Sequence, residues 1–257
     1  MPHTEHYSAN AYVSYLAEES LRHRAVRHPY LRALHDGSLP DSRWALADFA
    51  RHYYGYSANF PRYLTAVISR LDTAEHRRGL LDNLTEESGI YEEEELEILA
   101  GMGVQREWIE GVPHPQLFKR FSVAMGIDHS REQEADQVRG WRELFLLLLS
   151  NGTPAEAVGA LGLGTENIVR TVYTPFLAAI SRVDDLAPQD AVFFPLHAAV
   201  DDHHQATLQA ISVHHAETPE RRAELRRGML KALSLRSAFW DWLYARALNP
   251  SAADDVL

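Results

Sequence analysis

Apolar residues recur three and four positions apart through almost every segment of the chain, while alternation at every second position over a strand's length is hard to find. Such a pattern gives helices with one apolar stripe each, and an all-α bundle is expected. The periodicity predicts helices over about 9–27, 41–57, 59–71, 74–88, 91–101, 114–126, 131–150, 154–181, 189–215 and 219–248. Local chemistry supports several boundaries. Thr153-Pro154-Ala155-Glu156 has the hydroxyl, proline and glutamate of a capping box, and Thr218-Pro219-Glu220 repeats the start signal. Asn151-Gly152 would end the preceding helix with a residue that tolerates a left-handed conformation. No repeat or low-complexity linker divides the 257 residues, so one domain over 1–257 is expected, with frayed tails near 1–8 and 249–257.

The formal charge of −11 and the lack of any basic run argue against nucleic acid or an anionic membrane surface as partners. The longest uniformly apolar run, Leu144 to Leu149, is too short to span a bilayer, and the N-terminus has no secretory pattern, so a soluble cytoplasmic protein is expected. Without cysteine there is no disulfide scaffold, thiolate nucleophile, iron–sulfur cluster or sulfur-based zinc site. A metal would need nitrogen and oxygen ligands, and fourteen histidines can supply the nitrogen.

The most informative segment is FFPLHAAVDDHHQATLQAI, residues 193–211. At 100° per residue, Phe193, His197, Val200, Asp201, His204, Leu208 and Ile211 fall on one stripe, so a core-facing surface carries two imidazoles and a carboxylate. Side chains so spaced can converge on a metal; a hydrogen-bonded His–Asp pair within a core is the other reading. His203, His214 and His215 point elsewhere and are expected at the surface or a helix end.

From Ala157 to Ile180 the only charged residues are Glu166 and Arg170, one turn apart on a helix apolar enough to be central. Glu166 must then meet a metal, a cation or a proton, and Gly159 and Gly162 are expected to leave space beside it. A buried Glu166–Arg170 pair is the alternative. In LLDNLTEESG, residues 80–89, the inward stripe of Leu80 and Leu84 extends to Glu87 and not to Glu86. Carboxylates and imidazoles from facing bundle helices are the usual ligands of a di-iron or di-manganese centre. The run Glu92 to Glu95 is read as a solvated first turn that complements the helix dipole.

Taken together, HPYLRALHDGSLPDSRWALADFARHYYGYSANFPRYLTAVISRL at 28–71, LLDNLTEESG and FFPLHAAVDDHH resemble the haem-oxygenase-like dimetal oxidases and oxygenases, including their p-aminobenzoate-forming chlamydial branch. The resemblance implies a haem-oxygenase-like helical bundle and six ligands: Glu87, His114 in HPQLFKRF, Glu166, His197, Asp201 and His204. These residues are also the expected catalytic set. An insertion, roughly Ile90 to Pro113, separates Glu87 from His114 and makes His114 the least secure ligand, unless it packs as a helical flap that returns His114 and covers the pocket. The p-aminobenzoate-forming branch draws on its own tyrosine and a lysine, whose matching positions here are Leu31 and Phe176. An external substrate is therefore expected, with Tyr53, Tyr54 and Tyr56 as candidate pocket residues.

What the resemblance implies is a homodimeric enzyme that binds two iron ions, with manganese able to replace iron in part, and draws on an unidentified reductant. It would use O2 as co-substrate to oxidise a small, amino-acid-derived substrate by N-oxygenation, desaturation or carbon–carbon cleavage. Arg170 is the expected anchor for a substrate carboxylate. The competing readings are a cofactorless oxidase on the same fold and a binding or regulatory protein with a vestigial site. A thiaminase-like hydrolase is set aside for want of a cysteine.

Overall fold

The computed structural model describes residues 7–199 and 201–254, and the side chains of these apart from 199, 201–205 and 254. It is helical throughout, with no strand among the described residues. Ser8 caps α1 (Ala9–Arg22), Pro29 opens α2 (Pro29–Asp36), and the Asp41 carboxylate caps α3 (Ser42–Ser57) by accepting from the Trp44 amide at 2.8 Å. There follow α4 (Phe60–Ile68), α5 (Ala74–Glu87), α6 (Glu93–Gly101), α7 (Arg106–Ile109), α8 (His114–Ala124), α9 (Asp136–Asn151) and α10 (Pro154–Val158). The chain ends with α11 (Val169–Ile180), α12 (Phe193–Ala199), α13 (Asp201–His214), α14 (Pro219–Leu248) and α15 (Pro250–Asp254).

Three of these were not expected from periodicity. α2 and α7 are too short to show a stripe, and α15 occupies part of the predicted C-terminal frayed tail. The capping box forms, with Glu156 N–H to Thr153 Oγ1 at 3.2 Å and Thr153 N–H to Glu156 Oε2 at 3.1 Å. Glu156 also accepts from Arg227 at 2.7 Å and Lys231 at 3.0 Å. Burial opposes its charge, but these hydrogen bonds prevail and hold its carboxyl at about 2. Gly152 sits at φ −63°, not in the left-handed region expected of it. The acidic run does form a solvated first turn, where Glu92 and Glu95 cap α6 reciprocally and Glu93 pairs with Arg106 at 2.9 Å.

The largest departure lies within 154–181, where one continuous helix was expected. Gly159–Leu163 forms a π-helical turn, closed by the Gly164 amide on the Gly159 carbonyl at 3.0 Å, and Glu166–Ile168 is a 3-10 turn. The glycines here do not leave space beside Glu166. A Cβ at Gly159 would lie 2.1 Å from the Leu225 carbonyl oxygen, and one at Gly228 would lie 1.9 Å from that of Glu156. They bring this segment and α14 backbone to backbone.

α14 is the spine of the bundle: its 30 residues span about 45 Å and pack against α3, α9, α10 and the π-helical turn. Its far end is tied to α3 where Arg246 donates to both oxygens of buried Asp48, at 2.8 and 2.9 Å. The core is aromatic around α3, with Tyr56 stacked on Trp141 at 3.8 Å and Phe49 close to Phe176 at 4.1 Å between ring centroids.

His215, expected at the surface or a helix end, lies just beyond the end of α13 and is buried there. Burial, aided by the nearby charges of His214, Arg221 and His76, pulls its imidazole from 6.5 down to about 4. Between those values the unfolded chain binds a proton that the folded one refuses, so stability falls as pH drops from about 6.5 towards 4. Thermal melts of His215→Gln are expected to lose about 2 kcal/mol less than the parent between neutral pH and about pH 4.5. Equal acid losses in both proteins would assign the effect to other groups.

Candidate metal centre

The sequence delivers polar side chains to one point because several helices end or begin there. α5 ends at Glu87, which is 5% exposed. Gly89 follows at φ +85°, a left-handed turn that also brings its backbone against the insertion, since a Cβ there would lie 2.6 Å from the Val112 nitrogen. The Gly111 amide donates to the Gly89 carbonyl at 2.8 Å and so pins the two ends of the insertion together. α8 therefore starts beside the end of α5, and its first residue, His114, is buried with Nδ1 at 3.0 Å from Glu87 Oε1. The least secure ligand of the sequence reading does reach the site. The insertion carries the two short helices α6 and α7, and Tyr91 near its start places its hydroxyl 2.8 Å from His114 Nε2.

α12 supplies His197, whose ring centroid lies 4.7 Å from that of His114. The Phe193 carbonyl accepts from His197 Nδ1–H at 2.7 Å, which fixes the tautomer and leaves Nε2 as the lone-pair nitrogen. One donor atom each from Glu87, His114 and His197 lie within 4.8 Å of one another. They line a cavity of about 50 Å³ together with Tyr53, Tyr56, Thr165, Glu166, Tyr173, Phe193 and Arg236. Burial pushes the Tyr91 phenol up, with Glu87 and Glu86 adding to the effect, so the hydroxyl beside His114 is protonated.

Of the sequence-derived ligands, the structure thus brings Glu87, His114, Glu166 and His197 to one cavity. Asp201 and His204 are residues of α13 whose side chains lie outside the described residues. Glu86 is buried as well as Glu87, contrary to expectation, but it is Glu87 that lines the cavity. Arg170, expected to share a face with Glu166, is instead exposed and is not part of the wall. The 3-10 turn at Glu166–Ile168 breaks the α-helical spacing that would have put them one turn apart on the same side. Tyr53 and Tyr56 line the cavity, whereas Tyr54 stacks on His129 at 4.1 Å. Leu31 and Phe176 are buried and lie outside this wall.

A family described as iron-containing redox enzymes matches residues 47–237 of the chain. The chain belongs to this family. A 4-aminobenzoate synthase of Chlamydia muridarum is 26% identical over 190 residues, covering 72% of this chain and 71% of that protein. A pyrroloquinoline-quinone synthase of Gluconobacter oxydans is 31% identical over 115 residues, 42% of this chain and 46% of its own. Among solved structures, a domain of unknown function with a haem oxygenase-like fold from Shewanella denitrificans superposes with a TM-score of 0.68 at 16% identity, covering 95% of this chain and 94% of that one. The all-α fold is thus haem-oxygenase-like, as the resemblance implied.

The donors suit the metal of this iron-containing redox family: imidazole nitrogen and carboxylate oxygen accommodate iron, and His197 presents a nitrogen whose tautomer is already set. Sequence reading missed Tyr91 and Arg236. Tyr91, the first residue of the helix expected over 91–101, lies two residues before α6 begins. Arg236, by contrast, interrupts the apolar stripe of Leu225, Met229, Leu233, Trp240 and Leu243, a signal of the same kind that revealed His197.

Proposed function

We propose that this chain is a non-haem di-iron oxidase or oxygenase that uses O2 to oxidise a small, amino-acid-derived substrate in biosynthesis. The observation that carries this reading is the convergence of Glu87, His114 and His197 from three helices on a cavity that Glu166 also lines, in a member of an iron-containing redox family. In this reading Asp201 and His204 complete the set for a second ion. The relatives named 4-aminobenzoate synthase and pyrroloquinoline-quinone synthase support a biosynthetic oxidation.

Iron held there would supply the one-electron and oxygen chemistry that side chains lack. The protein's own part is positional. Glu87 orients His114, the Phe193 carbonyl orients His197, and phenols and Phe193 line the cavity around the donors. Tyr91 holds a proton at His114 Nε2, a position that must yield if that nitrogen is to bind metal.

Ferrous-loaded protein in an oxygen electrode is expected to take up oxygen faster than the same iron free in buffer, and zinc-loaded protein is expected to take up none. Uptake equal to that of free iron would overturn the oxidase reading.

A further inference from the structure

Among the described residues Arg236 is the one buried arginine, at 3% exposure, and it lies in the wall of the cavity that holds Glu87, His114 and His197. Its surroundings set it apart from the other partly buried arginines. Arg246 has both oxygens of Asp48, and Arg226 has the Glu19 carboxylate. No ion pair joins Arg236 to a carboxylate among the described residues; it donates to the Tyr56 hydroxyl at 3.3 Å and lies against that of Tyr53. A guanidinium has five donors and does not deprotonate in proteins, so most of this one's capacity is unspent on neighbouring acids. Aromatic rings fix it in place, with those of Tyr56, Trp141 and Trp240 centred 5.3, 5.4 and 6.0 Å from its Cζ. Beside it, the hydroxyls of Tyr53 and Tyr173 lie 2.9 Å apart and offer further polar contacts.

A desolvated cation without a paired anion is costly, and one held by rings in a cavity wall is suited to accept an anion from outside the chain. Planarity favours a carboxylate, which a guanidinium meets with two parallel hydrogen bonds. We propose that Arg236, with the Tyr56 hydroxyl, holds the carboxylate of the substrate and thereby directs the rest of the molecule towards Glu87, His114 and His197. This is the role expected of Arg170 from the sequence, moved to a different helix. The inference rests on the oxidase reading for what happens to the bound molecule; carboxylate recognition itself requires no iron.

The test uses acetate and its neutral counterpart acetamide as probes, titrated at constant ionic strength into metal-stripped and into anaerobic ferrous-loaded protein. Tryptophan fluorescence is the readout, because Trp141 and Trp240 flank the guanidinium. In both forms the parent is expected to bind acetate at least tenfold more tightly than acetamide. Arg236→Gln is expected to lose that preference while binding as much iron as the parent, and Arg236→Lys to keep part of it. Equal binding of the two probes by the parent, or an unchanged preference in Arg236→Gln, would overturn the proposal. If Arg236→Gln gives no cooperative melt, the parent's preference and that of Arg236→Lys decide. Failure of the parent to bind iron would instead strike the oxidase reading and leave the acetate preference as measured.

Discussion

His114→Ala is expected to weaken iron binding by on the order of 100-fold or more and to abolish iron-dependent oxygen uptake, with the helical circular dichroism of the parent retained. The fold should survive because His114 is the first residue of α8, whose packing rests on Leu117, Phe118 and Phe121. The metal should not, because His114 joins the donors of α5 and α12 and is itself held by Glu87 at 3.0 Å. Glu87→Gln separates the two contributions. It keeps a hydrogen-bonding group near His114 but removes the negative charge, and it too is expected to lose iron. If either variant bound iron like the parent, the ligand assignment would fail even if the oxidase reading stood. A His114→Ala protein that unfolds would show that the imidazole supports structure.

Gly228→Ala is the other large effect, and it acts on stability. The new Cβ would lie 1.9 Å from the Glu156 carbonyl oxygen, so α14 and α10 must move apart along a contact that Gly159 makes equally tight from the other side. We expect a loss of about 3 kcal/mol, at the upper end of the usual cost of overpacking, because backbone has no rotamer with which to yield. Gly140→Ala in α9 is the control: nothing lies within 4 Å of its added Cβ, and alanine there should add roughly 0.5–1 kcal/mol. Denaturant midpoints of the two variants are expected to shift in opposite directions. A stable Gly228→Ala would mean that the two segments are not packed as closely as described.

Both substitutions bear on what the sequence could disclose. Glu87 and His197 were legible because each is a polar residue on an apolar stripe, and a stripe survives as long as its helix is regular. Arg236 carried the same mark on α14 and was open to the same reading. His114 carried none, since it opens its helix after an irregular insertion, and only the resemblance singled it out. Its return to the site depends on Gly89 and Gly111, whose backbone hydrogen bond periodicity does not show. Arg170 was misplaced for a definite reason. The pattern over 154–181 was extrapolated at 100° per residue through a π-helical turn and a 3-10 turn, and each alters the phase. Gly159, which looked like space in the sequence, proved to be a backbone contact with α14, and Gly162 faces the Leu208 side chain.

The central claim, that these donors form part of a two-iron site, is met most directly by counting. Metal-stripped protein titrated anaerobically with ferrous iron, with bound and free metal separated at each step, is expected to saturate at two ions per chain. Saturation at one ion, or no binding above a non-specific background, would contradict it.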